Sequence, residues 1–159
     1  MMKQQGIVDI LVYLLEAVVS QQIDIIPEPT SVKQKLEKAG FAKETINYTF
    51  DWLKELIEQQ YWYESFPNIN TNKTLHLFSS EEIHKIDAET RGFILSLEYA
   101  GVLDTNTREI IINQLMQLNQ PTIDLIAAKW VVLLVLMSKT NKSAQEMRDY
   151  LLTTMAQEA

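Results

Sequence analysis

A chain of 159 residues with 47% hydrophobic and 22% charged side chains has a globular composition and length enough for one compact domain, or for two small subdomains, residues 1–66 and 74–159, sharing one core. The absence of cysteine excludes disulfides, thiolate metal sites and cysteine nucleophiles, and it suits a reducing, cytoplasmic setting. A net charge of −7 repels phosphate backbones at long range and leaves nucleic acid a disfavoured partner.

The charge is unevenly spread. Residues 1–60 carry 6 basic and 9 acidic groups, residues 61–104 carry 3 and 7, and residues 105–159 carry 5 and 5. None of these stretches makes a basic patch. The apolar run of residues 7–19 is interrupted by Asp9 and Glu16 and lacks a basic leader. That of residues 123–137 contains Asp124 and Lys129 and falls short of the ~20 apolar residues a membrane span needs. Both read as buried helices, with no membrane partner.

In chain order, a first helix is expected over residues 5–20, its polar stripe of Asp9, Tyr13, Glu16 and Ser20 at helical spacing. Pro27 and Pro29 block propagation through the connector that follows. Thr30 or Ser31 can cap a short helix to Ala39, with Gly40 where a left-handed residue is wanted and Phe41 as an apolar plug. A longer helix over residues 43–60 should bury Ile46, Phe50, Leu53 and Ile57 with Leu56, and wet Lys43, Asn47, Asp51, Lys54 and Glu58. Tyr48 and Trp52 fall on the flank, either as a partner contact or, with more weight, as the half-buried edge of the core.

Helix, Gly-Phe turn and longer helix outline a helix-turn-helix. The aromatic residues 61–66 and the alternating residues 74–78, separated by an Asn-rich loop, leave room for a small β-hairpin near residues 61–78 and so for a winged-helix-like N-terminal half. The helix that would read DNA, however, sets Lys43 and Lys54 against Glu44, Asp51, Glu55 and Glu58. Such a scaffold suits protein contact better than phosphate contact.

Ser79 with Glu82 reads as a capping box inside a staple of Phe78 and Ile83, placing a helix start near Ser80. The segment can break near Asp87, which would cap a second helix to Ala100. Gly92 inside it costs ~1 kcal/mol relative to alanine and is read as a site of close backbone packing, with a bend or a binding cleft as the alternative. Asp87 and Arg91 stand four apart and can pair. Gly101 ends this helix, and Asp104 or Thr105 caps the next, which turns Ile111, Ile112, Leu115 and Leu118 inward. Thr122 is expected to cap the most apolar helix, residues 123–138, at the centre of the core, with Lys129 extending its amine from the edge. Ser143 and Glu146 suggest a capping box for a last helix with Met147, Tyr150, Leu151 and Met155 inward. The sum is a mainly α protein, a compact bundle of about seven helices.

Chemical signatures are sparse. Glu81 and His84 have the Glu-x-x-His spacing of di-iron bundles, but such a site needs two copies and two further glutamates, so no metal or cofactor is assigned. No Gly-x-Gly-x-x-Gly or Walker-type loop occurs among the four glycines. Asp87, Glu89, Arg91, Glu98, Arg108, Glu109 and Lys129 could do acid–base work on paper. Twenty-one acidic side chains produce such groupings by chance. Asp87, Arg91, Arg108, Glu109 and Lys129 are therefore read as a structural charge cluster fastening the central helices at their ends.

Several stretches carry a resemblance. They are Val8-Asp9-Ile10-Leu11-Val12-Tyr13-Leu14-Leu15-Glu16, Leu36-Glu37-Lys38-Ala39-Gly40-Phe41, Trp52-Leu53 and Leu77-Phe78-Ser79-Ser80-Glu81-Glu82. Asp87-Ala88 through Arg91-Gly92-Phe93, Leu95, Leu97-Glu98, Thr107-Arg108-Glu109 and Lys129-Trp130-Val131-Val132-Leu133 continue it. In order and spacing the chain resembles the Smg family of small bacterial proteins, whose function is uncharacterised. The resemblance implies a stand-alone cytoplasmic protein, often encoded beside a DNA-processing protein, and it assigns no catalytic residue. The leading expectation is a non-enzymatic domain that contacts another protein through the aromatic flank of Tyr48, Trp52, Tyr61, Trp62 and Tyr63. The runner-up is a winged-helix-like nucleic-acid binder stacking bases on Tyr61, Trp62 and Tyr63. An enzyme using the charged helix junction comes third.

Overall fold

Helices form here wherever an amphipathic run meets a residue able to stop it. The computed structural model describes residues 6–19, 29–65, 75–137, 139 and 142–158, and among them it shows eight α-helices and no strand. These are α1 (Ile7–Val19), α2 (Pro29–Lys38), α3 (Lys43–Ser65), α4 (Ser80–Lys85), α5 (Ala88–Tyr99), α6 (Thr105–Met116), α7 (Leu125–Leu136) and α8 (Lys142–Glu158). The chain divides into two compact units, Met1–Glu55 and Leu56–Ala159, the division falling within α3.

In the first unit, Ile10, Ala17, Val32, Leu36 and Ile46 form a buried cluster, with Tyr13, Leu14, Phe41 and Phe50 packed against it. Phe41 meets the Tyr13 ring edge-on at 5.9 Å, so the residue after the glycine does plug the core. Gly40 has a φ of 100°, and the Phe41 N–H donates to the Leu36 carbonyl at 3.1 Å, a left-handed helix stop. Pro29 does not block a helix but begins α2, where its missing N–H is no loss.

On α3 the buried stripe differs from the expected one. Ile46, Thr49, Trp52 and Leu56 are buried, Phe50 and Leu53 are half-buried, and Ile57 is exposed. The Thr49 hydroxyl donates to the Thr45 carbonyl at 2.7 Å, so a residue that counts as polar enters the core with its hydroxyl satisfied. That rotation carries Trp52 inward. The helix also runs on through Tyr61, Trp62 and Tyr63 to Ser65, where a strand was expected. No glycine or proline interrupts residues 43–65, and continued helix satisfies the backbone locally despite the aromatic β-preference. Residues 66–74 of the expected hairpin lie outside the described residues.

In the second unit three helices start alike, each on an aspartate after a buried aliphatic residue. Asp87, Asp104 and Asp124 follow Ile86, Leu103 and Ile123, and accept from the N–H groups of Thr90, Thr107 and Ala127 at 2.8, 2.7 and 2.9 Å. Each such cap is worth ~1 kcal/mol. Ile86 and Ile123 also pair as an isolated parallel bridge, which pulls Ile123 out of the helix assigned to it. The cap of α7 is therefore Asp124 and not Thr122.

Gly101, at a φ of 81°, ends α5 as Gly40 ends α2. The apolar α7 packs against α5, α6 and α8 and buries Ala127, Ala128, Val131, Val132, Leu133, Val135 and Leu136. The start of α8 is Lys142, so Ser143 is already helical. Glu146 faces the Lys142 amine at 3.9 Å, and Tyr150, expected inside, is exposed. Gly92 is no packing point either: a Cβ there would meet nothing within 4 Å.

Candidate functional site

Among the described residues of the second unit, a connected polar group gathers on residues 75–79, an extended segment leading into α4. In Leu75-His76-Leu77-Phe78 the alternation would ordinarily turn the leucines inward. Here His76 and Phe78 are half-buried while Leu75 and Leu77 are 89% and 88% exposed. The inversion has a chemical cause. Both nitrogens of His76 meet carboxylates: Nδ1 lies 2.6 Å from Glu109 Oε2 on α6, and Nε2 lies 3.1 Å from Glu82 Oε1 on α4. Phe78 stacks edge-on against His76 at 4.6 Å, and the Arg91 guanidinium lies 5.7 Å from the Phe78 ring centre.

The capping box of α4 fixes Glu82. Ser79 Oγ accepts from the Glu82 N–H at 3.2 Å, and the Ser79 N–H donates to Glu82 Oε1 at 2.9 Å. Burial pushes the Glu82 carboxyl up, but the Ser79 N–H and His76 more than offset it and hold it below the usual carboxylate value.

Glu109 continues the chain of contacts. Its Oε2 also accepts from Arg108 Nε at 3.1 Å, and Arg108 Nη1 donates to both oxygens of Glu98, the last turn of α5, at 2.8 Å each. Arg108 is buried. Burial works to lower its pKa, and the two carboxylates reverse that and raise it. On α4, the Lys85 amine donates to the Met116 and Leu118 carbonyls at 2.7 Å each, closing the end of α6. Burial pulls Lys85 below the ordinary lysine value.

Chemically this is a latch. With a carboxylate at each ring nitrogen, at 2.6 and 3.1 Å, both polar atoms of His76 are engaged within the protein. The arrangement ties residues 75–79 to α4 and α6, and α6 to α5.

Of the charged residues singled out from the sequence, Glu98, Arg108 and Glu109 are brought together. The others are not. Asp87 caps α5, Arg91 Nε donates to the Ile86 carbonyl at 3.1 Å, and Lys129 stands half-buried on α7. Among the aromatic residues, Trp52 is 2% exposed and is a core side chain, while Tyr48 is exposed. Tyr61 and Trp62 are 71% and 45% exposed near the end of α3, with Tyr63 edge-on to Trp62 at 5.0 Å. Glu81 and His84 are both exposed, and among the described residues no group of three or more histidines and carboxylates could hold a metal ion. No helix of the described residues is long and apolar enough to cross a membrane. Glu82 lies six residues from His76, but the other groups that place His76 and Lys85, Glu109 and the Met116 and Leu118 carbonyls, lie 31 to 33 residues away and leave no signal in the local sequence.

Residues 7–159 match the family described as "Protein of unknown function (DUF494)". The chain is 39% identical to a "Protein Smg homolog" of Methylococcus capsulatus, over 87% of its own length and 86% of that protein's. It is 37% identical to one of Nitrosococcus oceani and 36% identical to one of Stenotrophomonas maltophilia, each over 89% of this chain and 88% of the relative. No solved structure matches it.

Proposed function

We infer that this chain, which belongs to the Smg family (protein of unknown function DUF494), is a non-enzymatic protein-interaction domain. The observation that carries the reading is the end of α3 in the second unit. Ile57, Tyr61 and Trp62 stand exposed there on a helix that is otherwise well supplied with charge. Tyrosine and tryptophan offer large contact area at low cost in rotamer entropy, and they dominate the energetic centres of protein interfaces. The helix presenting them is held firmly. Gln59 Nε2 donates to Gln114 on α6 at 2.7 Å, and Asn113 Nδ2 donates back to Gln59 at 3.0 Å. A rigid platform with exposed aromatic groups suits docking of another protein. The partner is a protein and the setting cytoplasmic in this reading, in line with a chain that has no cysteine.

The test is affinity capture from a native lysate with the intact chain and with a Tyr61→Ala, Trp62→Ala double variant. The expected result is a stoichiometric protein partner retained by the first and lost by the second, with thermal unfolding of the two within about 0.5 kcal/mol, as for exposed substitutions. Capture of nothing at stoichiometric level, or of the same partner by both, overturns the reading.

A further inference from the structure

We propose that residues 75–79 are a strand-addition site, which takes an extended, basic segment of a partner protein as a neighbouring β-strand. The proposal rests on the protein-interaction reading and gives it a second, chemically specified surface. Among the described residues, no backbone N–H or carbonyl of residues 75–78 is hydrogen-bonded. Open donors and acceptors along an extended stretch are complemented by another extended chain, which pairs with them at strand spacing. The segment is held by the His76 side chain on Glu82 and Glu109, by Phe78 against Arg91, and at its end by Ser79, whose hydroxyl and N–H are taken up in the capping box. An incoming strand therefore breaks no ladder and finds the segment already extended, which lowers the entropic cost of pairing.

The outward face specifies the partner further. Leu75 and Leu77 are almost fully exposed while the histidine between them is drawn inward, so two leucines at strand spacing stand in water. Apolar side chains at alternate positions of an added strand would cover them. The charges select its sign. Residues 75–109 carry 7 acidic and 3 basic groups. Lys85 and Arg91 are turned onto backbone carbonyls and the buried Arg108 onto Glu98 and Glu109, whereas Glu81 is exposed and Glu109 partly so. A lysine- or arginine-bearing strand meets this rim favourably. A second copy of the chain would bring the same carboxylates face to face, and so is the poorer occupant.

The probe is a short synthetic peptide alternating valine and lysine, titrated into the isotope-labelled intact chain and followed by nuclear magnetic resonance. Saturable shifts centred on the amides of residues 75–78 and the methyl groups of Leu75 and Leu77 are expected, with slowed hydrogen exchange at those amides. A Leu75→Ser, Leu77→Ser variant should bind at least about tenfold more weakly, the loss of roughly 1.4 kcal/mol. Both leucines are exposed, so the fold is not at stake. Tyr61→Ala with Trp62→Ala should leave the peptide response unchanged. Silence at residues 75–78, equal binding of a valine–glutamate peptide, or equal binding of a peptide with alternate amides N-methylated overturns the proposal. So does concentration-dependent self-pairing of the segment without peptide. A captured partner that needs Tyr61 and Trp62, beside a silent segment, overturns strand addition and leaves the interaction domain standing.

Discussion

Gly92 shows how much one residue's meaning depends on what surrounds it. Glycine inside a helix costs ~1 kcal/mol relative to alanine, so its presence invites a compensating reason such as a crossing backbone. The surroundings supply none: a Cβ would enter open space, and the residue lies within α5 at ordinary helical geometry. The helical location was legible from the pattern around it, but the emptiness beside it depends on elements distant in the chain. Gly92→Ala should therefore stabilise the protein by about 1 kcal/mol, raising the midpoint of thermal unfolding by roughly 2–4 °C for a chain of this size. An unchanged or lower midpoint by calorimetry would show that the helix needs freedom at this point. Gly40 and Gly101 differ in kind, since their φ values of 100° and 81° would strain any side chain.

Elements were legible wherever a local signal sufficed and shifted wherever a distant partner intervened. The Ser79–Glu82 box and the aspartate at Asp87 start α4 and α5 as the sequence suggests, because a cap satisfies N–H groups within three residues. Ile123 was misplaced because its bridge to Ile86 cannot be seen from its own neighbours. On α3 the stripe turned because Thr49 satisfies its own hydroxyl, a local event that hydrophobic counting ignores. The α5–α6 connection is the clearest case of an element fixed by a long-range pair. The bidentate hold of Arg108 on Glu98 joins the last turn of α5 to the first of α6. Removing one partner leaves the other's charge incompletely compensated, which for buried pairs costs 3–5 kcal/mol. Glu98 keeps 21% exposure, so Arg108→Met should cost about 3 kcal/mol, at the low end of that range. Arg108→Met with Glu98→Gln should cost less than the two single changes together. Additive losses in urea unfolding would mean the pair does not couple the helices.

At the scale of the whole molecule, the quantity read most directly from sequence is charge, since it sums without reference to packing. The total of −7 and the 7-to-3 excess of acid over base in residues 61–104 hold in any fold. What the fold decides is which charges reach water. The α2–turn–α3 outline that suggested a DNA reader exposes Lys43 and Lys54, but with them Glu44, Asp51 and Glu58. The aromatic groups proposed for stacking on bases, Tyr61 and Trp62, stand on a helix that also exposes Glu58 and Glu64. Stacking contributes ~1–3 kcal/mol per base, whereas binding to nucleic acid draws most of its non-specific affinity from phosphate contacts with basic groups. Among the described residues no surplus of basic side chains supplies those contacts. A fluorescence titration with a labelled single-stranded oligonucleotide in low-salt buffer, where electrostatic attraction is least screened, should therefore show no saturable binding. Binding that weakens steeply with added salt would reverse the conclusion, because it would require phosphate contacts that this charge distribution does not supply.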